Sequence, residues 1–179
     1  MLPVLLILLC VVLRVVPHPP NFAPVGASAV FAGRTLPRGW AIGLTSAAMF
    51  IGDVVLSWRQ GFPLLRVDMP FVYGGFAVQA LLGHALRRMR GGSIAAAVLG
   101  ALAFFILSNF GVWLSGMYGR TLPGLYNCYV AAIPFFRATL AGDVLWTIVL
   151  ALVYSRLAPR LESRGSRWVP IRNAKVPVL

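Results

Sequence analysis

Between Arg14 and Gly33 the chain reads RVVPHPPNFAPVGASAVFAG, and this stretch limits what the rest can fold into. Upstream, Leu2 to Val16 is an apolar run whose one charge is Arg14. Pro17, Pro19 and Pro20 then end any helix, because a prolyl ring has no N–H to donate and collides with the preceding turn. The apolar pattern resumes at Val25 and stops at Gly33, about half of the ~20 residues a membrane-crossing helix needs. An apolar segment, a break carrying His18 and Asn21, and a half-length apolar segment together make the pattern of a site built from discontinuous helices.

Four further apolar segments follow: Trp40–Trp58, Pro70–Leu86, Ser93–Ser115 and Arg137–Leu157. The chain is 59% hydrophobic and 11% charged, with only four acidic residues in 179, against about 25% charged in a soluble domain. A core of this size cannot hide so much apolar surface, so the solvent is lipid. The expected fold is all-α: a polytopic membrane bundle of six helices with a short or broken second helix. Residues 1–157 form this single bundle and residues 158–179 a basic tail. The connection from Gly116 to Pro134 is too long for an idle turn and is expected to be a functional loop or a short surface helix. Ala27-Ser28-Ala29 resembles a signal-peptide cleavage site, but no cation precedes the first apolar run and Arg14 lies within it, so the segment is expected to stay on the chain. Cys10 and Cys128 make no disulfide framework.

The net charge is +12, yet the arginines sit at segment ends rather than in a stripe interleaved with aromatics, so no nucleic-acid partner is expected. Six segments put both termini on one side. That side receives eleven of the sixteen basic residues, which makes it cytoplasmic and places the protein as a multi-pass protein of a bacterial cytoplasmic (inner) membrane. Three connections then face outward: the opening stretch, the loop from Arg59, and the loop from Gly116.

Polar residues inside the spans are the candidate site. An Asp at mid-membrane costs ~2.5–3.5 kcal/mol on insertion scales, so it turns inward and often marks function. Counted from the outer segment ends at 1.5 Å per residue, Asp53 lies about 8 Å deep and Asp143 about 9 Å, with Asn109 near the same depth. An outward pocket would be floored by Asp53, Asn109 and Asp143 and roofed by loop residues. The substrate-binding candidates are His18, Asn21, Asp53, Asn109, Trp113, Tyr126, Asn127, Arg137 and Asp143. Asn109, Trp113, Tyr126 and Asn127 would hold a solute by hydrogen bonds and stacking. The two aspartates would either contact a cationic group or pair with Arg14, Arg59 or Arg137. Both acids follow a glycine (Gly52-Asp53, Gly142-Asp143), which lets a neighbouring backbone approach. His18 and Cys128 lack ligand spacing, so neither a metal nor any other cofactor is expected.

The run Arg14–Val25 with Ala29–Gly33, the segment Asn109-Phe-Gly-Val-Trp113, and Tyr129–Arg137 with Gly142-Asp143 resemble an uncharacterised bacterial family assigned to transport. That family is similar to the substrate-binding S components of energy-coupling factor transporters. The resemblance implies six helices with cytoplasmic termini and outer loops closing over a vitamin or metal-containing cofactor. It also implies a transmembrane coupling subunit and an ATPase pair as partners. The expected function is a substrate-binding subunit for uptake of a small solute, and not an enzyme. No G-x4-GK[ST] phosphate loop is present, so ATP use would belong to a partner. Two alternatives stand beside it. One is a structural or assembly protein without a ligand. The other is an intramembrane aspartyl protease, but the first glycine of Gly-x-Gly-Asp is Phe50 at one acid and Leu140 at the other.

Overall fold

A computed structural model describes residues 2–16, 22–61 and 63–162, and all regular structure among them is helical. In chain order the helices are α1 (Leu2–Val15), α2 (Val25–Thr35), α3 (Arg38–Gln60), α4 (Met69–Ala85), α5 (Gly92–Leu114) and α6 (Leu122–Glu162). The proline cluster, with His18 and Asn21, lies outside the described residues. Helices α3, α5 and α6 are each long and apolar enough to cross a membrane. The 23 residues of α3 and of α5 rise about 34 Å, against a hydrocarbon thickness of ~30 Å.

The first five helices match the expected segments to within two residues at each end. The sixth does not. Helix α6 starts at Leu122 rather than Arg137, and the expected long connection shrinks to a turn over 115–121. Pro134 lies inside α6, where it deprives the Val130 carbonyl of its donor without ending the helix.

The distribution of residues between inside and outside suits a lipid solvent. The buried positions are dominated by small side chains: Ala27, Ala29, Ala32, Ala80, Ala96, Ala97 and Ala101. The exposed faces carry Leu5, Leu8, Leu9, Ile51, Val98, Leu99, Leu102 and Ile106, and Trp40 and Trp58 project near the two ends of α3. A water-soluble bundle would place the large apolar residues inside. Close approach of small-residue faces is what holds helices together in lipid.

Helix α2 is the axis of the bundle. It packs against all five other helices and is buried from Gly26 to Arg34. Its tightest neighbour is α4. A Cβ added at Gly33 would overlap the Ala80 carbonyl oxygen, and one added at Gly83 would overlap the Val30 carbonyl oxygen. The two helices run antiparallel here, backbone against backbone. The small residues of α2 are therefore used inside the molecule.

Arg34 ends α2 and is 6% exposed. Its Nη1 donates to the Leu86 carbonyl at 3.0 Å and its Nη2 to the Arg87 carbonyl at 3.3 Å. These carbonyls close the C-terminal end of α4, where helix acceptors lack partners and the dipole favours a cation. Arg34→Met is expected to cost about 1.5–3 kcal/mol, the range for hydrogen bonds to charged groups, and Arg34→Lys less. Thermal unfolding in detergent checks this; a methionine variant as stable as the parent would remove the capping role.

Candidate functional site

Two buried polar clusters sit at different heights. The upper one joins α1, α3 and α4. Arg14 Nη2 donates to Asp53 Oδ1 at 2.5 Å, and the Tyr73 hydroxyl donates to Asp53 Oδ2 at 2.8 Å. Gly52 gives Arg14 its place: a Cβ there would lie 3.1 Å from the arginine Cδ and Nε. Both carboxylate oxygens of Asp53 are thus engaged within the protein, and Asp53 is 8% exposed. A buried carboxylate is retained in an apolar medium when it is paired and hydrogen-bonded in this way.

The lower cluster joins α2, α4 and α6. Gln79 Nε2 donates to Asp143 Oδ2 at 2.9 Å, and the Ala27 backbone N–H donates to the same carboxylate. Ala27 is in the first turn of α2, so Asp143 caps that helix from outside, where unpaired N–H groups and the helix dipole favour an anion. Gly26 makes the approach possible, because a Cβ there would collide with the Asp143 carboxylate. Gly142 receives the Phe22 backbone, whose Cα would lie 3.3 Å from an added Cβ, and Trp146 Nε1 donates to the Phe22 carbonyl at 3.1 Å. The segment entering α2 is therefore fixed to α6 on both sides of Asp143. The two Gly-Asp pairs share a role: at each, the glycine admits a neighbour, an arginine side chain at Gly52 and a backbone at Gly142.

The single layer expected from depth arithmetic is corrected here. Tyr73, the partner of Asp53, and Gln79, the partner of Asp143, are six residues apart on α4, about 9 Å along its axis. The error came from counting Asp143 from Arg137, which is interior to α6. Asn109 joins neither cluster. Its Nδ2 donates to the Phe105 carbonyl of its own helix at 2.8 Å.

Of the remaining candidates, Trp113, Tyr126 and Asn127 lie near the turn from α5 into α6, and Arg137 lies 15 residues along α6. Trp113 Nε1 donates to the Thr121 carbonyl at 3.1 Å, and Cys128 Sγ lies 3.4 Å from the Asn109 carbonyl oxygen. Tyr129 donates to the Ile106 carbonyl at 2.7 Å. Tyr126, Asn127 and Arg137 are exposed. Among the described residues no three His, Cys, Asp or Glu side chains group as a metal site. A shallow groove of about 470 Å³ runs along the start of α3, lined by Gly39, Trp40, Gly43, Leu44 and Ala47, and touches none of the candidates.

Sequence reasoning missed Tyr73, Arg34 and Thr147. Gln79 is a polar residue within an apolar segment, but Asp143 was expected to contact a cationic group or pair with an arginine.

A family model matches residues 1–164, and its description is a family of unknown function, DUF6580. No curated protein and no solved structure matches the chain.

Proposed function

We propose that this chain, which belongs to the DUF6580 family of unknown function, is an integral membrane protein that binds a small solute for uptake. The observation that carries the reading is α2. It is a helix of 11 residues, buried by five others, preceded by a proline break and capped at its first turn by an acid from another helix. Half-length helices ending inside a bundle are how membrane transporters build binding sites at depth. In this reading the protein lies in a bacterial inner membrane with both termini cytoplasmic. The solute enters from the side of the three connections and meets Asn109, Trp113, Tyr126 and Asn127. An S-component role, with a coupling subunit and an ATPase pair, is the finer form of the proposal and rests on the sequence resemblance.

A second reading, a structural membrane protein without a ligand, is favoured by one observation: Asp53 has both oxygens occupied by Arg14 and Tyr73. Proteolysis is disfavoured. A catalytic acid pair shares a proton across a short distance, whereas the partners of these two acids are about 9 Å apart along α4.

The test is mass spectrometry of small molecules extracted from the protein purified in detergent from its native membrane. One solute should be enriched over an unrelated membrane protein, and the enrichment should fall at least about tenfold, or 1.4 kcal/mol, in Trp113→Ala. No enriched solute and no co-purifying ATPase would leave the structural reading standing instead.

A further inference from the structure

The lower cluster contains more oxygen than it uses. Gln79 is 1% exposed, Asp143 2% and Thr147 4%. Gln79 Nε2 is spent on Asp143, but Gln79 Oε1 has no hydrogen-bond partner among the described residues, and neither has Thr147 Oγ1. Gln79 Oε1 shares its amide carbon with the nitrogen that meets Asp143, so it lies at the same end of the same buried side chain. Thr147 follows Asp143 by four residues on α6, which puts it one turn along on the same face. Asp143 itself makes no ion pair among the described residues, whose pairs are Arg14–Asp53 and Arg66–Asp68.

Physical chemistry asks for a positive charge at this place. A lone carboxylate in an apolar interior is costly unless it is neutralised. Two hydrogen bonds, from an amide and a backbone N–H, leave its net charge intact. The unused groups are an amide oxygen and a hydroxyl oxygen, both neutral and both buried. Carboxylate, amide and hydroxyl oxygens form a hard donor set with no thiolate or imidazole, which selects an alkali or alkaline-earth ion over a transition metal. One carboxylate balances one charge, which selects a monovalent ion.

We propose that Asp143, Gln79 and Thr147 form an intramembrane site for a dehydrated monovalent cation of the sodium class. The ion takes the carboxylate of Asp143, Oε1 of Gln79 and Oγ1 of Thr147 as ligands. It balances the charge that caps α2, so occupancy and the packing of α2 are linked. The site does not require that the protein carry a solute, and its test measures binding alone.

The experiment is thermal unfolding of the full-length protein in detergent at mildly alkaline pH, with sodium chloride exchanged for choline chloride at constant ionic strength. Sodium should raise the midpoint temperature by about 5 °C with saturation, as a ligand bound to the folded state does. Thr147→Val keeps the side-chain shape and should move the sodium midpoint upward about tenfold. Asp143→Asn removes the charge and should abolish the response; if that variant does not fold, the threonine variant decides. A midpoint temperature that ignores sodium, or that rises only on acidification, would overturn the proposal and assign the charge balance to a proton. A sodium response unchanged by Thr147→Val would overturn it as well.

Discussion

Gly33→Ala is expected to abolish recovery of folded, monodisperse protein in detergent, while Gly43→Ala leaves it unchanged. The added methyl at Gly33 would overlap the Ala80 carbonyl oxygen and crowd the Ala80 carbonyl carbon and the His84 backbone nitrogen, whereas Gly43 has nothing within 4 Å of the same position. Overpacked cores ordinarily lose ~1–3 kcal/mol because a neighbouring side chain can turn away. Here the obstacle is backbone in a second helix. Relief requires α2 and α4 to separate, and with them the packing of Gly83 against Val30 and the Arg34 cap. The loss therefore lies at or beyond the upper end of that range. Size-exclusion profiles and melting curves of both variants check it. A Gly33→Ala protein that elutes and melts like the parent would show that the two helices do not meet backbone to backbone.

The second large effect belongs to Arg14 and Asp53. Removing one member of a buried ion pair strands the other and costs about 3–5 kcal/mol, whereas replacing both by apolar residues is often close to neutral. Arg14→Met and Asp53→Leu should each lose this amount, and the double variant should lose less than either alone. Denaturation of the four proteins in one detergent gives the coupling energy directly. Losses that simply add would mean that the two side chains contribute independently. Tyr73→Phe should cost about 1 kcal/mol on its own, as for a single neutral hydrogen bond.

Most of the fold was legible in the sequence because long apolar runs simplify the problem. Apolar runs bounded by Gly, Pro and Arg mark helices, and five of the six helices follow from that rule. The half-length of α2 was equally plain, since Val25–Gly33 is too short to span and too apolar for a loop. The rule failed at α6 for a physical reason. Hydropathy reports what a segment is dissolved in, not whether its backbone hydrogen bonds continue. Gly124, Asn127 and Pro134 lower the apolar average between Leu122 and Arg137, yet the helix passes through them. That one boundary lies 15 residues from where the helix starts, and counting depth from it merged two clusters into one layer. Arg14 as a partner for Asp53 was among the options the sequence offered, because charge and side of the membrane narrow the choice. Gln79 as the partner of Asp143 was not, because neutral partners leave no trace in charge arithmetic. Asn109 shows the same limit, since a side chain bonded to its own helix carries no information about its neighbours.

The cap on α2 also bears on how the molecule is made. Translation delivers α2 second, but the acid that completes its first turn arrives on the last helix. Eleven residues are too few for a stable isolated helix, so α2 depends on its neighbours, among them α4 at Gly33 and Gly83. Its amino end stays open until Asp143 emerges. A nascent chain stopped before α6 would keep five helices and lack the closure of the first turn of α2. The bundle is thus sealed from its middle by its final segment, and the interior helix is the part completed last.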